Sequence, residues 1–118
     1  MKRVALLVLV VLGGCGSNRS HSGLPASERL VSLSAADTGT LCDYQVQVEG
    51  TTRTDCGSGL MGTPKTRAEC VAGLAGLRPT CTATVSDAEG CFAAIGANPC
   101  NLTSIGAACA ALSACSGH

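Results

Sequence analysis

The chain has 118 residues, nine of them cysteine and only two aromatic, Tyr44 and Phe92, and its eight Lys and Arg balance its eight Asp and Glu. That length holds one small domain. Zero net charge and scarce rings argue against a nucleic-acid binder, which needs a basic surface and stacking side chains. Nine cysteines in so short a chain point to an oxidising compartment.

Met1, Lys2 and Arg3 open the chain with positive charge, and Val4–Leu12 follows as nine unbroken apolar residues. Nine helical residues span roughly 14 Å, about half a bilayer core, so the run is too short to cross a membrane and has the length of a signal-peptide h-region. Next comes Leu12-Gly13-Gly14-Cys15, which resembles the lipobox of bacterial lipoproteins. The resemblance implies a diacylglycerol on the Cys15 thiol, cleavage between Gly14 and Cys15, and further acylation of the new amino group with palmitate-type chains. It also implies sorting to the outer membrane, because the residue after the lipidated cysteine is Gly16 rather than aspartate. Two or three acyl chains hold a protein stably on a membrane where one does not. An ordinary secretory signal with an accidental cysteine is the plainer alternative, but it leaves an odd number of cysteines, whereas lipidated Cys15 leaves eight.

Residues 1–14 are therefore expected to be a signal peptide and residues 15–27 a lipidated cysteine with a flexible tether, because Ser17–Ser27 is small, polar and without an apolar period. Cleavage removes Lys2 and Arg3 and leaves six basic against eight acidic residues, a mildly acidic domain. That cysteine-rich domain is expected over residues 28–118. Asn18-Arg19-Ser20 and Asn101-Leu102-Thr103 match the glycosylation sequon; in a bacterial chain both read as chance, with Asn101 a turn or cap.

Ser34-Ala35-Ala36-Asp37 is a capping pattern ahead of Leu41, Cys42 and Tyr44. Tyr44, Val46 and Val48 then alternate with Asp43, Gln45, Gln47 and Glu49, a strand-like pattern with a turn expected at Glu49-Gly50. Cys56–Gly62 is rich in glycine and reads as a loop. Thr66-Arg67-Ala68-Glu69 is a capping box, followed by Cys70, Leu74 and Leu77 on one helical face. Gly73 and Gly76 weaken that helix by about 1 kcal/mol each relative to alanine. Ser86-Asp87-Ala88-Glu89 is a second capping box, leading into Cys91, Phe92 and Ile95, with Gly96 as the expected stop. Ile105, Cys109 and Leu112 repeat the i, i+4, i+7 stripe.

The expected fold is small, disulfide-rich and mainly α, with three to four short helices and a short β-hairpin. It needs staples. From Cys15 onward, Leu, Ile, Val and Phe number 17 of 104 residues, below the level that ordinarily sustains a core. Cys42, Cys56, Cys70, Cys81, Cys91, Cys100, Cys109 and Cys115 are expected to form four disulfides, each contributing about 2–5 kcal/mol. Eight cysteines allow 105 pairings, and spacing does not choose among them. Cys109 and Cys115 on one helix lie about 9 Å apart along its axis and cannot bridge each other. A helical hairpin turning near Cys100 would face Cys91 with Cys109.

Gly57-Ser58-Gly59-Leu60-Met61-Gly62 matches G-x-G-x-x-G, but Thr54-Asp55-Cys56 before it is not an apolar strand, so the segment reads as a glycine loop and no nucleotide or other cofactor is expected. No Cys-x-x-Cys pair suggests zinc or redox chemistry. The two histidines, His21 in the tether and His118 at the last position, are poorly placed for a Ser-His-Asp or Cys-His mechanism. Glu28, Asp43, Glu49, Asp55, Asp87 and Glu89 offer carboxylates for acid–base work, yet Asp87 and Glu89 already have a reason to sit in a helix's first turn. No catalytic residue is expected.

Leu41-Cys42-Asp43-Tyr44, Glu69-Cys70-Val71, Cys81-x-Ala83-Thr84-Val85 and Ala108-Cys109-Ala110-Ala111-Leu112 make residues 33–115 resemble small cysteine-rich lipoproteins of myxobacteria, a group whose resemblance implies class and location but no activity. The expectation is a lipid-anchored binding or structural module of the cell envelope. Its expected partners are the membrane, through Cys15, and an envelope protein, with no nucleic acid or nucleotide. The alternative is a protease inhibitor presenting a stapled loop around Arg53; a small hydrolase with a carboxylate pair is a third reading.

Overall fold

Each of the four longer helices begins where a side-chain oxygen relieves the unpaired N–H groups of a first turn. In the computed structural model, which describes residues 20–116, Ser34 accepts from the Asp37 N–H and opens α1 (Ala35–Glu49). Thr66 and Glu69 form the expected capping box of α2 (Arg67–Ala75). Thr84 and Asp87 form another at the start of α3 (Val85–Ala97). Asn101 accepts from Ser104 N–H and opens α4 (Leu102–Ala108), after which a single turn, α5 (Ala110–Ser113), closes the described chain. Between α1 and α2 lies a two-stranded antiparallel hairpin, β1 (Thr54–Gly57) and β2 (Leu60–Gly62). The fold is thus small, disulfide-rich and mainly helical, with one short hairpin. The expected signal segment, Cys15 and His118 lie outside the described residues.

α1 packs on both α2 and α3, and α3 packs on α4. Leu41, Cys42 and Val85 are fully buried at the centre, with Phe92, Leu24 and Leu30 around them. Four half-cystines, Cys42, Cys70, Cys81 and Cys115, belong to this core. They supply the buried volume that so few large apolar residues cannot.

Four disulfides join Cys42 to Cys70, Cys56 to Cys100, Cys81 to Cys115 and Cys91 to Cys109. The first ties α1 to α2 across the core. The last ties α3 to the junction of α4 and α5, the pairing expected from a helical hairpin turning near Cys100, with its Cα atoms 4.5 Å apart.

Several expectations need correction. Tyr44, Val46 and Val48 are not a strand but the second half of α1. Leu41, Tyr44 and Val48 also recur at i, i+3 and i+7, and the helical period prevails because the cap at Ser34 and the Cys42–Cys70 bond both hold that face inward. The strands sit instead in the segment read as a glycine loop. The second capping box starts at Thr84, two residues before Ser86, and its acid is Asp87. Gly96 does not stop α3, which runs to Ala97. A Cβ there would collide with the Val48 carbonyl, so this glycine permits the close crossing of α1 and α3. The stripe Ile105, Cys109, Leu112 is broken into two helices at Cys109.

Packing also begins earlier than Glu28. Ser20–Ser27 runs back over the helices: the Ser86 N–H donates to Ala26 O at 3.0 Å and the Val85 N–H to Glu28 O at 2.9 Å. Leu24 enters the core with 7% of its surface exposed. The polar composition of the segment hid this single apolar anchor.

Candidate functional site: a disulfide-clamped hairpin

A two-stranded hairpin alone is marginal in water, and this one is held from outside. Its strands pair Thr54 with Gly62, Asp55 with Met61 and Gly57 with Leu60, with an irregularity at Cys56. Gly57, Ser58 and Gly59 have φ of 85°, 53° and 81°, the left-handed conformation that a tight connection needs and that glycine adopts without strain. Asp55 Oδ1 accepts the Gly57 N–H at 2.8 Å and steadies the turn. Of the glycines that matched a nucleotide motif, Gly57 and Gly59 thus shape the turn of a hairpin and Gly62 lies in its second strand.

Cys56 bonds to Cys100 in the turn between α3 and α4. That turn is itself braced, because the Cys100 N–H donates to Asn98 Oδ1 at 3.0 Å and the Asn101 N–H to Asn98 O at 3.1 Å. Gly62 lies against Pro99, so close that a Cβ would sit 3.0 Å from the proline ring. The hairpin is pinned at its middle and at the end of β2.

What it presents is apolar. Leu60 is 56% exposed and Met61 45%, and Leu102, two residues after Cys100, is 65% exposed. These are the exposed large hydrophobic residues of the described chain, and they lie on the two segments that the Cys56–Cys100 bond joins. Arg53 is exposed immediately before β1, and Asp55 is exposed within it.

Of the carboxylates considered for acid–base chemistry, Asp43, Glu49, Asp55, Asp87 and Glu89 are each engaged by a different partner. Asp43 pairs with Arg67 at 2.7 Å on an exposed face. Asp87 is committed to its cap. Glu69 caps α2, and the Thr66 N–H bond holds its carboxyl below the ordinary value. Glu49 is pushed up by burial, against the opposing effects of the Gln45 amide and Lys65. Glu89 is 5% exposed. Burial pushes its carboxyl up, but bonds from the Ser20 and Ser22 hydroxyls and from the Ser22 and His21 N–H groups outweigh that and leave it below the ordinary value. The His21 ring stacks on Tyr44, with centroids 6.2 Å apart. Partial burial, followed by the charge of Glu89, pushes the Tyr44 hydroxyl up. Among the described residues, no three His, Cys, Asp or Glu side chains gather as metal ligands.

The sequence singled out Arg53 and the cysteines but not Leu60, Met61 or Leu102. Exposed apolar residues carry no periodic mark; the available signal was the run of glycines around Ser58, which fits a turn as well as a loop. Glu89 was assigned to a cap, and only the packing of Ser20–Ser22 shows its true partners.

No family model, curated protein or solved structure matches this chain.

Proposed function

We propose that the protein is a lipid-anchored module of the bacterial cell envelope, held through acyl chains on Cys15, most simply at the outer membrane. It works by binding an envelope protein or by structural support, not by catalysis. The contact surface is the clamped hairpin. The observation that carries this reading is that Leu60, Met61 and Leu102, the exposed large hydrophobic residues of the described chain, lie on the two segments that the Cys56–Cys100 bond joins. Exposed apolar side chains on a pre-ordered element are what a partner can bury without first ordering the surface.

The test is crosslinking in intact cells with the Leu60→Ser, Met61→Ser double variant beside the wild type. Wild type is expected to yield a reproducible crosslinked partner that the variant loses while keeping all four disulfides. No partner for the wild type, or the same partner for both, overturns the reading. The anchor is tested separately: Cys15→Ser should move the protein from the membrane fraction to the soluble one.

A second reading is favoured by the exposure of Arg53 beside a disulfide-held strand. Inhibitors of Arg-specific serine proteases present a rigid loop of this kind. Micromolar protein that leaves such proteases unslowed removes it.

A further inference from the structure

The segment that follows the lipidation site is fastened to the body by a buried carboxylate. The His21 N–H donates to Glu89 Oε1 at 3.0 Å and the Ser22 N–H to Oε2 at 2.8 Å, so one side chain holds two consecutive peptide groups. The Ser20 hydroxyl donates to Leu24 O at 2.9 Å and lies 3.1 Å from the Ser22 hydroxyl. His21 covers the ring of Tyr44 on α1, and Leu24 is buried just beyond. From Ser20 onward the chain is no longer a tether.

That shortens the leash. Without the Glu89 contacts the first residue still held by the body is Leu24, up to about 32 Å from Cys15 along an extended chain, whereas the steps from Cys15 to Ser20 reach at most about 18 Å. We propose that the Glu89 latch holds the domain down on a phospholipid surface, with the face formed by His21 and Tyr44 turned toward the headgroups. This rests on the lipid-anchor reading. The mature chain is mildly acidic, so leash length rather than charge brings this face to the bilayer. Glu89 lies in the second turn of α3, and the hairpin is clamped beyond the far end of that helix. Ala97 is about 12 Å from Glu89 along the axis. The latch therefore also keeps Leu60 and Met61 displaced from the anchored end.

The chain contains one tyrosine and no tryptophan, so tyrosine emission reports on Tyr44 alone. The experiment uses the full lipidated protein in vesicles of phosphatidylethanolamine and phosphatidylglycerol carrying a headgroup nitroxide. Wild-type Tyr44 emission is expected to be quenched. Glu89→Ala is expected to lose most of that quenching while retaining four disulfides by mass. Should Glu89→Ala fail to fold, a second variant leaves the body untouched: ten Gly and Ser residues inserted after Ser17. They lengthen the leash by a root-mean-square of about 17 Å, and quenching should again fall. Protein that carries its lipid and floats with the vesicles, yet shows no quenching or the same quenching in all forms, overturns the latch and leaves the anchor standing. Protein without a lipid mass, or absent from the floated fraction, overturns the anchor and the latch with it.

Discussion

Glu89 shows how one side chain can serve folding from an unpromising position. An ionised carboxylate with 5% exposure is costly unless its lone pairs are filled, and here the His21 and Ser22 N–H groups donate one bond to each of its oxygens. Its folded-state pKa is depressed below the ordinary 4.5. The stability it contributes is therefore fully present above that value and is lost as pH falls through the lower folded value. Glu49 has the opposite sign, since its raised pKa means that stability declines as pH rises through 4.5. A comparison of Glu89→Gln with wild type cancels the Glu49 effect. The substitution is expected to cost about 1–3 kcal/mol at neutral pH. In urea unfolding followed by circular dichroism, the difference should shrink as the medium is acidified below 4.5. A gap that stays constant down to strong acid would show that the charge on Glu89 does not matter.

Among the elements, the hairpin and the helical core are fastened by different bonds and should fail separately. Removing Cys56–Cys100 through the paired serine variant frees β1 and β2 but leaves Cys42–Cys70 in the core, where Cys42 is fully buried and Cys70 is 5% exposed. That variant should keep its helical circular dichroism and become rapidly cleaved by trypsin after Arg53. The paired serine variant of Cys42 and Cys70 should instead lose about 2–5 kcal/mol of global stability. Equal trypsin resistance of the hairpin variant and wild type would mean that the disulfide does not order the loop. The helix starts at Ser34 and Thr66 were legible because a cap is a local arrangement of neighbouring residues. The start at Thr84 was displaced because Thr84-Asp87 and Ser86-Glu89 both satisfy the capping-box spacing, and only the contact of Glu89 with Ser22 decides between them. The second half of α1 was misread because its apolar residues satisfy two periods at once. The exposed Leu60 and Met61 became visible only with the clamp to Cys100, whose partner lies 44 residues away in sequence.

At the scale of the whole molecule, the disulfides form an overlapping set. The Cys42–Cys70 loop crosses that of Cys56–Cys100, which crosses that of Cys81–Cys115, and Cys91–Cys109 lies inside the last. The sequence established that eight cysteines were available but not this wiring, because pairing is decided by which helix faces meet. Mass spectrometry should show the protein gaining the mass of eight hydrogen atoms on reduction by a thiol or phosphine; any smaller gain would mean that a bond of this set is missing. The overlap has a consequence for resistance to proteolysis. Every peptide bond between Cys42 and Cys115 is bridged by at least one cross-link, so a protease that cuts once anywhere in that span severs the backbone without dividing the molecule. A nicked copy runs as a single species until reductant is added, and it stays covalently continuous with its N-terminal end. Only a cut ahead of Cys42 separates the stapled domain from the chain before it; two cuts that isolate a piece free of cysteine lose that piece alone.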